Sequence, residues 1–298
     1  MNLLTLTTQS YSRSYQYLKH GPGHFLMYAF GRFRVVRSFM VWAYSLRNTK
    51  LLAGARPTLV QDVDVDEAAR AIYQDGFFPG LHLRKDVVEQ LLTFSSMATC
   101  YADGNPDLPF RYSEREIVER QSGRVFKLGK FLHAFSASPV LQGLASDPQL
   151  RAIARKYLRT EPVLVSARMW WSFSGPTDAE QQMRDGQGFH YDIDGYRALA
   201  FFFYLTDVGP TDGPHVYVRG SHTKKLLRHI VSIYKGRNDA EIERVYGLER
   251  QVVCCGPAGS GFAEDIFGFH KGQHPQSSDR LIVQLRYGLR DYGTGHND

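Results

Sequence analysis

Cysteine is scarce. The three present, Cys100, Cys254 and Cys255, make no Cys-x-x-Cys pair, and two of them are adjacent. That argues against a disulfide framework or a structural zinc site and for a reducing compartment, so the expected location is cytoplasmic. No long apolar run occurs either. The most apolar early stretch, 24–46, is interrupted by Arg32, Arg34 and Arg37, which speaks against a transmembrane span. The start has neither the charged region nor the apolar core of a secretory signal. The most informative absence is one sign of charge. Residues 1–61 hold eight Lys or Arg and no Asp or Glu, giving +8. The remainder, 28 Lys/Arg against 30 Asp/Glu, is −2 although the whole chain is +6. The basic excess belongs to the N-terminal segment and is no ground for nucleic-acid binding by the rest.

This charge boundary divides the chain into a basic, aromatic extension, 1–61, and a main domain, 62–298. Within the extension, aromatics fall all round a helical wheel over 24–46. We expect a helical extension packed on the main domain. The alternative is weak contact with an anionic membrane or an acidic protein. Acidic residues first appear at Asp62, and 62–67 reads as a helix start with carboxylates in the first turn, stopped at Asp75-Gly76. Further helices are expected over 86–94, 138–145 and 147–158. From 161 the texture changes to strands: 162–173, 197–205, 215–218, 250–255, 260–267 and 280–289. Two helices, 224–234 and 239–246, interrupt them. A helical half followed by many strands implies an α+β fold, with helices backing a sandwich or open barrel.

His190 and Asp192 stand two apart in the extended stretch 188–192, so their side chains share one face. Completed by a second histidine, they form a two-histidine, one-carboxylate facial triad, the set that leaves open positions on Fe(II). A His-x-Asp alone is weak; another occurs at His296-Asn297-Asp298. The third ligand has two candidates, His270 at a strand end and His274 in the turn that follows. Arg280 opens the next strand, where Arg280, Ile282, Gln284 and Arg286 share a face. Arginine grips a carboxylate through two parallel hydrogen bonds and keeps its charge, so this hairpin sets a metal ligand beside an anion anchor.

The order His190-x-Asp192, then Val216-Tyr217-Val218-Arg219-Gly220-Ser221-His222, then His270 and Arg280, resembles the phytanoyl-CoA dioxygenase family over roughly 62–290. The resemblance implies a double-stranded β-helix (jelly-roll, cupin-like) core backed by helices. It also implies an oxygenase that uses Fe(II), 2-oxoglutarate and dioxygen on a small-molecule or acyl substrate. It assigns His190, Asp192 and His270 to iron and Arg280 to the keto acid, with Tyr204 as the candidate second contact. The ten residues from His270 to Arg280 match the family's usual separation, and the six from His274 do not. Arg219 stands where the family commonly has proline. Because Asp192 is retained, hydroxylation is expected rather than halogenation. Two rivals remain: a cupin-like metalloenzyme without 2-oxoglutarate, and a non-catalytic binding protein on the same fold. His215, His222 and His229 are expected in turn, cap and helix-surface roles, Cys254 and Cys255 as buried strand residues, and 256–261 as a plain turn.

Overall fold

The computed structural model describes residues 21–46, 57–176, 188–232 and 234–293. The polar start, 1–20, and the second His-x-Asp at 296–298 lie outside the described residues.

Local signals set the helices. Asp64 caps Val65–Asp75 by accepting from the N–H groups of Asp66 and Glu67. Gly76 ends that helix at φ 77°, a left-handed conformation open to glycine at little cost. Ser138 and Asp147 cap Pro139–Ala145 and Pro148–Leu158, each with proline in the first turn. The helix expected over 224–234 is shorter, Leu227–Val231, because Leu226 and Ser232 on either side are extended.

The strands are β1 (Phe77–His82), β2 (Cys100–Ala102), β3 (Pro109–Phe110), β4 (Leu128–Lys130), β5 (Val163–Ser172), β6 (Ala198–Tyr204), β7 (His215–Val218), β8 (Gln251–Cys254), β9 (Ser260–Asp265), β10 (His270–Gly272) and β11 (Arg280–Gly288). They form a large antiparallel sheet, β1-β9-β6-β11-β5-β4-β2-β3, and a small one, β10-β7-β8. His190 bridges to His270 on the edge of the small sheet. β5 and β6 lie in the large sheet and β7 and β8 in the small one, after which β9, β10 and β11 fall in the large, small and large sheets in turn.

Alternation of side chains divides the large sheet. Leu281, Val283 and Leu285 join Leu150, Ile153 and Leu158 of the helical layer in one apolar cluster. Phe202, Tyr204, Phe262 and Ile282 face the other way and meet Tyr217 and Cys254 of the small sheet. Glu264, Arg280, Gln284 and Arg286 are buried on that inner side. Burying an ion costs several kcal/mol unless it is paired, so each of these groups needs a partner or a ligand. Cys255, expected to be buried, is exposed one residue past the end of β8.

The extension contributes α1 (Pro22–Phe30) and α2 (Arg34–Ser45). Met27, Val41 and Tyr44 belong to the main apolar cluster. Arg37 is buried, pairs with Asp265 at 3.4 Å and lies 3.9 Å over the Phe267 ring. Asp265 also accepts from the Tyr157 hydroxyl and the Phe267 N–H. Burial alone would raise the Asp265 carboxyl, but Arg37, His222 and these hydrogen bonds hold it below its ordinary value. The pairing therefore stabilises the fold above the ordinary aspartate range, and the gain is lost as pH falls through the lowered value. Deleting residues 1–56 should strip Asp265 of its arginine and uncover core side chains. Breaking a buried pair costs about 3–5 kcal/mol, so the truncated protein is expected to aggregate in light scattering. A soluble truncation with an unchanged melting temperature would show that the extension adds nothing to the fold.

Candidate metal centre

His190 and His270 face each other directly. The His190 N–H donates to the His270 carbonyl at 2.9 Å, and the reverse bond is 2.8 Å. Their ring centroids are 4.4 Å apart. Each ends a Gly-Phe-His tripeptide, 188–190 and 268–270, with its phenylalanine fully buried. Each places Nδ1 against the carbonyl two residues back, Gly188 at 3.1 Å and Gly268 at 3.0 Å. Donation from Nδ1 to those carbonyls leaves the lone pair on Nε2 for a metal. Gly268 is required here, because an added Cβ would sit 1.9 Å from the Tyr217 hydroxyl oxygen. The Ser221 hydroxyl accepts from the Phe269 N–H at 2.7 Å, which gives the Gly-Ser-His turn a share in placing His270.

Asp192 is not in a regular strand as expected; Phe189 and His190 form single bridges only, and Asp192 continues through one bond, its N–H to the Ile266 carbonyl. The shared face survives. One ligand atom from each of His190, Asp192 and His270 lies within 4.8 Å of the others. Burial pushes His270 down to about 4, so its imidazole is neutral at neutral pH, the form that ligates. Burial opposes the charge on Asp192, but Arg286, His190 and His270 hold its carboxyl well below the usual range. Two imidazoles and a carboxylate are a donor set suited to Fe(II).

The supports were not all visible in the sequence. Arg286 donates to Asp192 at 3.2 Å and also to Asp194, so it positions the ligand carboxylate and is not spare for an anion. Behind His270 lies Glu264, fully buried, with Oε2 2.8 Å from His215 Nε2 and Oε1 3.9 Å from His270 Nδ1. Burial raises Glu264 to about 7, and burial with Arg280 and His190 nearby lowers His215 to about 3. His215, expected in a turn role, is a strand residue whose ring stacks 5.6 Å from His270. His222 and His229 are buried too, bonded to the Tyr73 carbonyl and to Glu241.

Arg280 is buried at the other end of the same inner face. Its Nη2 donates to Ser172 at 3.0 Å, and its Nε and Nη1 have no hydrogen-bond partner among the described residues. A Cβ built on Gly272 would lie 3.7 Å from that Nη2, which sets the guanidinium beside β10, two residues beyond His270. A buried fork with two unmet donors suits a carboxylate. Tyr204 is in the same layer, but its hydroxyl donates to the Cys254 carbonyl at 2.9 Å and accepts from the His215 N–H. The segment 224–246 is bonded to the stretches that carry His190 and Asp192: the Tyr191 hydroxyl donates to the His229 carbonyl, and Phe189 bridges to Arg237.

His274 stays outside the cluster, its Nε2 3.1 Å from the Gly175 carbonyl. His270→Ala is therefore expected to lose bound iron and His274→Ala to keep it, as measured by metal content of the purified variants. The reverse pattern would mean that the ligand is wrongly assigned.

No family model matches the chain, and no curated protein matches it. Solved structures do resemble it. One is the epimerase SnoN in complex with Fe3+, alpha ketoglutarate and nogalamycin RO, at TM-score 0.52 and 16% identity, covering 75% of this chain and 82% of that one. Another is HygX from Streptomyces hygroscopicus with nickel and 2-oxoglutarate bound, at TM-score 0.50 and 19% identity, covering 74% and 86%. The likeness is one of fold: this chain shares the mixed helix and antiparallel-sheet architecture of those 2-oxoglutarate-dependent proteins.

Proposed function

We propose that this chain is an Fe(II)- and 2-oxoglutarate-dependent oxygenase that hydroxylates a small molecule. The carrying observation is the pairing of a three-atom ligand cluster with a buried arginine whose Nε and Nη1 are unmet. His190, Asp192 and His270 would hold the metal, and Arg280 the far carboxylate of the keto acid. Bound there, these groups couple conversion of 2-oxoglutarate to succinate and CO₂ with transfer of one oxygen of O₂ into a substrate C–H bond. The chain does the rest. Arg286 fixes Asp192, the two glycine carbonyls fix the histidine tautomers, and Phe202, Phe262 and Ile282 keep water from the inner layer. Tyr204 is proposed as a neighbour of the keto acid, and its contact requires the bond to Cys254 to be exchanged.

The strand order supports a double-stranded β-helix, with β9-β6-β11-β5 facing His190, β10, β7 and β8. Membership of the phytanoyl-CoA dioxygenase family is proposed on the ordered residues that resemble it. The division at 61/62 is proposed as a change of charge within one folded body, since α1 and α2 share its core. The substrate is proposed as a small organic molecule, the class to which the nogalamycin RO bound by SnoN belongs. The unmet donors of Arg280 speak against the rival metalloenzyme with no keto acid. Succinate release from 2-oxoglutarate with Fe(II) and air, across a panel of metabolites, tests the proposal. Iron-loaded protein that binds no 2-oxoglutarate would overturn it.

A further inference from the structure

The aromatics of the extension gave no single stripe on a helical wheel because α2 has two apolar faces. Arg37, Val41 and Tyr44 face inward. Val35, Phe39, Trp42 and Leu46 follow one another at helical spacing on the opposite side, all more than half exposed. Leu26 and Phe30 of α1 and Phe33 between the helices are also exposed. The Phe39 and Trp42 rings lie 5.7 Å apart, tilted by 39°, and both are more than half exposed. The Arg32 side chain donates to the Ile230 carbonyl, which sets the exposed Leu227 and Val231 on the segment bordering this corner. A folded chain rarely leaves so many large apolar side chains on adjoining elements without something to cover them.

The charge of this region says what covers it. Residues 1–61 contain no carboxylate side chain, and Arg34 lies exposed at the start of α2. A second copy docked on the same face through a two-fold axis would set like charge against like, Arg34 against Arg34, with no carboxylate side chain of residues 1–61 to answer it. An anionic bilayer surface meets both properties, because phenylalanine and tryptophan enter the headgroup boundary while arginine pairs with lipid phosphates and carboxylates. No described helix is long and apolar enough to cross a membrane. We infer that the α1–α2 face is a docking surface for an anionic lipid bilayer, on which the chain lies without inserting across it. The segment 226–246, which borders this corner through Ile230, also packs on the stretches that carry His190 and His270. The docked face and the candidate metal centre are thus linked through one segment.

The test is sedimentation of the full chain with phosphatidylcholine vesicles, with and without phosphatidylserine, compared with Phe39→Ser/Trp42→Ser. Both residues are exposed and neither touches the candidate centre, so the variant should keep its iron content and melting temperature. The intact chain is expected to bind the phosphatidylserine vesicles, to bind more weakly as salt rises, and to weaken about tenfold or more in the double variant. Trp42 emission should shift to the blue on binding. Failure to bind, or binding that the double substitution leaves unchanged, would overturn the inference. So would a dimer of the intact chain that the same substitution dissociates, which would identify a second copy as the occupant. None of these readouts depends on turnover, so the inference stands or falls apart from the proposed chemistry.

Discussion

Asp192→Ala should give a folded protein that no longer holds iron. With the unaltered chain, anaerobic Fe(II) and 2-oxoglutarate are expected to give a weak visible charge-transfer band, because the keto acid chelates the face that three protein ligands leave open. The variant should show neither the band nor succinate formation. The loss should exceed the roughly 10–100-fold that removing an outer partner of a metal ligand costs. Folding should survive for a reason specific to this site. Arg286, the buried cation that Asp192 accepts from, also pairs with Asp194, so truncating Asp192 does not leave it alone. Asp194→Ala offers the contrast: the metal ligand is intact and loses only part of its support, so iron should bind more weakly without being abolished. Full activity in Asp192→Ala would remove the triad from the mechanism.

Much of this site was legible because its chemistry is carried by short-range pattern. The His-x-Asp spacing picked out two of the three residues that the fold clusters, and the distance from Arg280 favoured His270 as the third candidate. The tripeptide Gly-Phe-His occurs at both ligand histidines, a signal in the sequence that points to His270 independently of Arg280. What could not be read was which charges meet. Arg286 shares a face with Arg280 by simple alternation, yet Arg286 is paired with Asp192 and Asp194 and leaves only its Nε unmet, whereas Arg280 leaves both Nε and Nη1 unmet among the described residues. That difference depends on how the stretch after His190 folds back over β11. Glu264 stands beside Asp265 at the end of a strand otherwise of small or apolar residues, and nothing local says that it is fully buried behind His270. His215 opens the strand expected at 215–218 but, after Gly213-Pro214, reads as a turn residue; that its ring faces inward onto Glu264 depends on the pairing of β7 with β8 and β10. The extension was legible in charge and as helices packed on the domain, but not in which face packs, since a helix that is apolar on two sides looks patternless until one side is covered.

Arg280→Leu should weaken 2-oxoglutarate binding and leave the iron site formed. Among the described residues Arg280 is a buried cation with a single hydrogen bond, to Ser172, and no paired carboxylate. Burial lowers its pKa, with Tyr204 nearby the one opposing influence. A cation kept in that state destabilises the empty fold, and a bound dicarboxylate satisfies it. The two effects separate in one variant. Leucine fills much of the same space without a charge, so the melting temperature of the ligand-free protein should hold or rise. The distal carboxylate of 2-oxoglutarate would then lose its partner. Truncating one side of a buried, hydrogen-bonded charge pair costs about 2–5 kcal/mol, which corresponds to roughly 30-fold to several thousandfold in the dissociation constant. Titration calorimetry on the iron-loaded variant measures it, and metal content confirms that His190, Asp192 and His270 still assemble. Pyruvate, which has the keto acid group but no distal carboxylate, should bind the parent and the variant with nearly equal affinity. If 2-oxoglutarate affinity is instead unchanged in Arg280→Leu, the anchor is not on this strand, because Arg286 is already held by two aspartates.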